Sequence, residues 1–140
     1  FSQPKVRVDG PAFGHGAGMV LKPEVIEKAV EETTKTRGKA FKIFFSPHGQ
    51  KLDQTLLGVI KEKVEAAGNH VMLVPARYEG IDARAEEEYA DMVISIGDYV
   101  LMGGDIPAMV LLEGLLRLIP GVVGKQESVE HESFSGPFVD

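Results

Sequence analysis

The chain has 140 residues, 44% of them hydrophobic and 26% charged, with a formal net charge of −6 at pH 7 and no cysteine. That length and balance suit one soluble domain with a real core. No apolar run approaches the roughly 20 residues that a membrane span needs. Residues 1–9 alternate between polar and apolar, which is not the pattern of a signal peptide. The lack of cysteine excludes disulfides, thiolate zinc sites and cysteine nucleophiles, and it fits a cytoplasmic location.

The N-terminal part predicts a short strand, a glycine-rich loop and one helix. Residues 6–8 are expected to form an edge strand, and a Gly-x-Gly-x-Gly run follows at 14–18. That run suggests a phosphate cradle, but it lacks the strand–helix setting of a dinucleotide site and the Walker lysine, which disfavours a nicotinamide oxidoreductase. Residues 23–37 carry an apolar stripe at helical spacing, with proline at the start and glycine just beyond the end.

Strands and helices alternate through the middle of the chain. Three continuous apolar runs predict buried strands: residues 41–45, 71–75 and 92–96. Between them lie an amphipathic helix, capped by Asp53 or Thr55, and a short charged surface helix at 83–90. This alternation predicts an α/β fold, a parallel sheet with helices on both faces.

Each predicted strand ends in a loop of unusual composition. The loop after residue 96 is the richest, with three glycines, two aspartates and a tyrosine before residue 106. Ligands bind at the carboxyl ends of strands in open α/β sheets, and glycine lets a ligand approach the backbone closely. If the three strands are parallel neighbours, their loops meet in one site. A side chain at Gly104 is then expected to block the ligand and leave the fold intact.

Residues 106–119 predict a helix that is apolar on most sides, with Asp105 as its cap. A domain of this size cannot cover such a helix alone, so the pattern predicts a partner or a second subunit. From residue 120 onward the chain is polar and glycine-rich, and an extended, poorly ordered tail is expected.

Four ordered motifs are more specific than the composition. They read Gly-Ala-Gly-Met at 16–19, Ser-Pro-His-Gly-Gln-Lys-Leu-Asp-Gln at 46–54, Arg-Tyr-Glu-Gly-Ile-Asp at 77–82, and Ser-Ile-Gly-Asp-Tyr-Val-Leu-Met-Gly-Gly-Asp-Ile-Pro at 95–107. Together they resemble the signatures of the bacterial tRNA (guanine-N1)-methyltransferases, the TrmD family. These are SPOUT-class enzymes that use S-adenosylmethionine.

The resemblance implies a homodimer that methylates N1 of guanosine 37 in tRNA, on a SPOUT fold with a deep trefoil knot. Residues 1–124 would form the S-adenosylmethionine-binding catalytic domain, without the family's first strand and helix. Residues 125–140 would be the linker to a C-terminal domain that the sequence does not include. The expected partners are tRNA and a second copy of the chain, with no role for DNA or a membrane.

By the same resemblance, twelve residues form the cofactor pocket. They are Phe45, Pro47, Ala76, Glu79, Ser95, Ile96, Gly97, Tyr99, Leu101, Gly103, Gly104 and Pro107. Ala76 replaces a glycine that is common in the family. For each apolar member, the alternative is plain core packing.

Two residues are candidates for catalysis by resemblance. Arg117 matches an arginine that orients the target guanine, although a cation in the last turn of a helix also favours the helix dipole. Glu132 precedes a Ser-Phe pair, where the family usually has an aspartate that removes the N1 proton; the alternative is a solvated glutamate. Arg77 is expected to be an ion-pair partner of Glu79 or Asp82.

The net negative charge is unusual for a tRNA enzyme, because phosphate binding normally requires a basic patch. Positive charge is expected either to be concentrated locally or to come from a further part of the protein. Another SPOUT RNA methyltransferase is the nearest alternative, and the glutamate at position 132 keeps a non-catalytic, cofactor-binding dimer module as a second one. The histidines show no metal-ligand spacing. The resemblance allows a magnesium requirement, for which the sequence shows no dedicated site.

Overall fold

The computed structural model describes residues 7–11, 18–77 and 80–123. Its elements in chain order are β1 (Asp9–Pro11), β2 (Met19–Leu21), α1 (Pro23–Arg37), β3 (Phe41–Lys51), α2 (Gln54–Ala66), β4 (Val71–Val74), α3 (Ala83–Tyr89), β5 (Met92–Ser95) and α4 (Asp105–Arg117). The central sheet has the order β4-β3-β5, and both pairings are parallel. The predicted parallel α/β sheet is confirmed. Among the described residues, no helix is long and apolar enough to cross a membrane.

Helices cover both faces of this sheet because side chains alternate along β3. Ile43 and Phe45 point to the face that α2 and α4 cover, where Leu57 and Leu111 join them in one buried cluster. Phe44 points to the opposite face and packs in a second cluster with residues of α1 and α3. Strands buried on both sides carry continuous apolar runs, which is the pattern that predicted them.

The helix ends follow local chemistry. The carboxylate of Asp53 accepts a hydrogen bond from the Leu56 amide at 2.7 Å, so Asp53 is the cap of α2. Asp82 caps α3 in the same way. The prediction that Asp105 caps α4 is wrong, because Gly104 occupies the cap position and Asp105 is the first helical residue. The surface helix predicted at 83–90 buries one face, with Ala85 and Glu86 inside.

Two predicted strand positions also differ from the structure. The short N-terminal strand lies at Asp9–Pro11, antiparallel to β2, rather than at residues 6–8, of which residue 6 is outside the described part. The hairpin attaches through Leu21, whose amide donates to the Gly80 carbonyl at 3.0 Å. The tail prediction falls almost wholly on residues 124–140, which are likewise outside the described part.

The central strand does not end at Phe45, as the apolar run predicted. Its pairing with β5 is interrupted after Phe45 and resumes at Gln50, and both residues lie opposite Ile94. Residues 46–49 therefore bulge out of the sheet beside the strand end. The chain returns through Gly49, where a Cβ atom would lie 2.7 Å from the Ile94 carbonyl carbon. Only glycine fits this return without moving the backbone.

We expect Gly49→Ala to lower the free energy of unfolding by about 1–3 kcal/mol, the usual cost of forcing extra atoms into a packed site. Gly58→Ala in α2 is the matched control, because a Cβ atom there meets nothing within 4 Å. The control should raise stability by about 0.5–1 kcal/mol through helix propensity. Urea unfolding measures both. Equal stability for the two variants would show that the backbone at Gly49 is not closely packed.

Candidate functional site

A cavity of about 340 Å³ lies at the carboxyl end of the sheet. Its walls come from the bulged part of β3 and from the loops that follow β4 and β5, together with one residue of α3 and the start of α4. The lining residues are Phe45, Ser46, Pro47, His48, Ala76, Gly80, Ile81, Glu86, Ile94, Ser95, Ile96, Gly97, Tyr99, Val100, Leu101, Gly103, Gly104 and Pro107. The volume is within the range of small-molecule sites. The predicted convergence of the three loops is confirmed.

Every predicted cofactor residue that the structure describes lines this cavity: Phe45, Pro47, Ala76, Ser95, Ile96, Gly97, Tyr99, Leu101, Gly103, Gly104 and Pro107. The twelfth, Glu79, lies outside the described residues. These residues therefore lie together around one cavity rather than at scattered core positions.

The loop after β5 is held against the loop after β4 by one short backbone contact. The Gly104 amide donates to the Ala76 carbonyl at 2.7 Å. A Cβ atom on Gly104 would lie 2.6 Å from the Ala76 nitrogen and 2.9 Å from the Pro75 Cα. The expectation that a side chain at Gly104 would spare the fold is wrong, because it would collide with this backbone.

Gly97 makes a second tight turn in the same loop. The Ser95 hydroxyl donates to the Gly97 carbonyl at 3.0 Å and accepts from the Gly97 amide at 3.3 Å. The Tyr99 ring folds over this turn, so a Cβ atom on Gly97 would overlap the ring, and the Tyr99 hydroxyl donates to the Ile96 carbonyl. The turn directs the following residues along the rim of the cavity.

Backbone donors along that rim are left for a ligand. Among the described residues, none accepts a hydrogen bond from the amides of residues 98–103. Backbone amides and apolar walls together are what recognition of a purine requires, since the amides supply direction and the walls supply contact area. At the outer edge, Lys51 pairs with Asp98 at 2.6 Å, but both side chains are exposed and such pairs contribute little stability.

A polar group that sequence reasoning missed closes the opposite wall. His48 Nδ1 lies 2.6 Å from the Ser46 hydroxyl oxygen, and His48 Nε2 lies 3.0 Å from Glu86 Oε2. Ser46 and His48 lie in a recognised motif, but Glu86 comes from α3. In the sequence, the one feature that could have indicated a buried Glu86 is that it follows the small apolar residue Ala85, with which it shares the buried side of α3.

The predicted arginines lie elsewhere. Arg117 is in the last turn of α4, about 15 Å along the helix axis from Pro107 at the cavity, so this chain alone does not bring the two together. The carboxylate of Asp82 binds the Arg84 guanidinium at 2.8 and 2.9 Å instead of Arg77, and this holds the pKa of Asp82 below its usual value. Glu132 lies outside the described residues. Within the described ranges, no group of three or more metal-ligating side chains occurs.

The fold and the site define an α/β domain with a ligand pocket at the carboxyl edge of a parallel sheet. The sequence model of the family "tRNA (Guanine-1)-methyltransferase TrmD" matches residues 1–140, and the chain belongs to this family. The identification from the four motifs is thereby confirmed.

Relatives and a solved structure agree with this assignment. The tRNA (guanine-N(1)-)-methyltransferase of Pseudoalteromonas translucida is 42% identical over 134 residues, which are 95% of this chain and 51% of the relative. That of Rhodospirillum rubrum is 45% identical over 127 residues, 91% of this chain and 50% of the relative. The crystal structure of tRNA (m1G37) methyltransferase from Aquifex aeolicus superposes with a TM-score of 0.75 at 36% identity, covering 90% of this chain and 55% of that one.

The chain therefore spans about half the length of the relatives that it matches. The shared fold confirms the predicted fold class. The trefoil knot stays a prediction.

Proposed function

We propose that this chain is the cofactor-binding part of an S-adenosylmethionine-dependent methyltransferase that acts on N1 of guanosine 37 in tRNA. The observation that carries the proposal is the cavity, because every described residue that the family resemblance assigned to the cofactor lines it. Chance similarity would not assemble three separate loops into one site. Family membership favours this reaction over another SPOUT RNA methyltransferase.

The residues present fit the proposed cofactor. The cavity volume suits a ligand of that size, and the amides of residues 98–103, which have no acceptor within the described part of the chain, supply donors for an adenine ring. Ile96, Leu101 and Pro107 supply apolar contact area. When bound, S-adenosylmethionine supplies a methyl group activated on sulfur. The chain's own task is then to hold that group in line with the guanine and to remove a proton from N1.

We assign proton removal to Glu132 and orientation of the guanine to Arg117. Glu132 has a carboxylate, as the usual aspartate does, on a side chain one methylene longer. A carboxylate near N1 would accept the proton as the methyl group arrives. A guanidinium offers a planar set of donors that suits the guanine carbonyl. Both assignments depend on motif position.

A homodimer formed around α4 is the proposed assembly. The outer face of this helix is apolar yet exposed, with Ile106 64% and Met109 67% accessible. The adjoining loop adds Val100 at 83% and Met102 at 99%. Patches of this kind mark interaction sites, and each large apolar side chain buried would contribute roughly 1.5–3 kcal/mol.

Further parts of the proposal concern the surroundings of the domain. Residues 1–124 would be the catalytic domain and 125–140 the linker. Cationic surface for tRNA phosphates would come from the length of the relatives that this chain does not span, which would offset the charge of −6. We place the reaction in the cytoplasm, where tRNA occurs. The family resemblance also allows a role for magnesium in the reaction. A non-catalytic module remains the second candidate, because Glu132 replaces the usual aspartate.

We expect Leu112→Glu to split the dimer, because it buries a charge in an apolar interface. Val59→Glu is the matched control: Val59 is similarly exposed but lies on α2, so this variant should remain dimeric. Sedimentation velocity measures both. A wild-type chain that is monomeric at high concentration would contradict the proposed assembly.

In a protein extended to the length of its relatives, we expect Glu132→Gln to slow methyl transfer by about 10²–10⁴-fold, the usual contribution of general-base catalysis. Affinity for S-adenosylmethionine should hardly change, and Glu132→Asp should retain activity. Glu130→Gln controls for loss of a nearby charge. Single-turnover methylation of a tRNA transcript is the assay. Near-wild-type rates for Glu132→Gln would remove this residue from catalysis and favour another base.

A further inference from the structure

The described wall of the cavity has an unbalanced charge. Among the described lining residues, Glu86 is the one acidic side chain, and no lysine or arginine lines the cavity. The side chain of Glu86 is only 9% exposed. A carboxylate removed from water is costly unless a cation or several hydrogen bonds compensate it. Its position on the cavity wall therefore favours a ligand that brings positive charge.

Glu86 is held in place but not saturated. His48 binds Oε2 alone, and the other ring nitrogen of His48 lies against Ser46. Because a carboxylate accepts hydrogen bonds and does not donate them, Nε2 of His48 must carry the proton in this pair. A carboxylate has acceptor sites for about four hydrogen bonds, so capacity remains for a group within the cavity.

We propose that Glu86 is a specificity-determining residue that binds the positively charged methionine end of the cofactor, with His48 as its positioning residue. This inference rests on the proposed function. The adenosine end then lies against the glycine-rich loop at 95–104, where backbone donors are available, and the cationic end lies against α3. The two walls thereby set the direction of the cofactor in the cavity.

The test is calorimetric titration of the 140-residue chain and of Glu86→Gln with three probes. S-adenosylmethionine has a sulfonium and an ammonium, S-adenosylhomocysteine has only the ammonium, and 5′-methylthioadenosine has neither. We expect Glu86→Gln to weaken S-adenosylmethionine binding about tenfold or more, the scale of a hydrogen bond to a charged group. Binding of 5′-methylthioadenosine should stay within about twofold. If Glu86→Gln weakens S-adenosylhomocysteine binding as much as it weakens S-adenosylmethionine binding, Glu86 binds the ammonium. If the affinity for S-adenosylhomocysteine is unchanged, Glu86 binds the sulfonium. Either result supports the proposal.

Glu87→Gln is the matched control, because Glu87 is exposed on the same helix and does not line the cavity. If Glu86→Gln does not fold, His48→Lys replaces it, since His48 is 71% exposed and the new ammonium would neutralise Glu86. We expect His48→Lys to weaken S-adenosylmethionine several-fold and to spare 5′-methylthioadenosine.

Two results would overturn the inference while the proposed function stands. One is an equal loss for all three probes, which would assign Glu86 to the ribose or to the fold. The other is unchanged affinity for all three. A wild-type chain that binds none of the probes would overturn the proposed function itself, and this inference with it.

Discussion

The backbone contact between Gly104 and Ala76 is the constraint on which the site depends. The 2.7 Å hydrogen bond joins the loop after β5 to the loop after β4, at a distance that leaves no room for a side chain. The glycine-rich loop is thus fixed at the start of α4, and Pro107 is brought to the cavity. Gly49, in the bulged part of β3, lies similarly close to the backbone of Ile94 in β5. Together, the two glycines position all three loops.

The chemistry of the site follows from this arrangement. Because the apolar side chains of β3 are buried on both faces of the sheet, the groups that can meet a ligand lie at the strand ends and in the loops. The loop after β5 contributes amides and apolar walls, whereas α3 contributes a buried carboxylate. An adenosine with a cationic tail matches both walls. The exposed apolar face of α4 lies next to the same loop, so dimer formation and cofactor binding would involve adjoining surfaces.

The sequence predicted most of the fold because the apolar periods are strong. Helix α1 has the predicted bounds, and the sheet strands begin where expected. The errors occur where backbone contacts override local preference. β3 continues after its bulge because it pairs again with β5, and Gly104 takes the cap of α4 while it bonds Ala76. Neither contact can be predicted from the local sequence pattern, because each joins segments that are distant in the chain.

The cavity wall at 95–107 could be predicted because motif identity carried it, whereas the pair of His48 and Glu86 could not. These two residues are 38 positions apart, and only the packing of α3 beside β3 brings them together. Glu79 and Glu132 stay predictions, since the structure does not describe them. Arg117 lies at the end of α4 away from the cavity of its own chain, as the helix spacing between Pro107 and Arg117 requires, and its role toward the guanine stays a prediction.

Amide hydrogen exchange with and without saturating S-adenosylmethionine tests the central claim most directly. The account predicts slower exchange for the amides of residues 98–103, which have no acceptor among the described residues, and unchanged exchange on the outer face of α1. Exchange at residues 98–103 that stays the same when the cofactor is bound would contradict the assignment of this loop as its binding site.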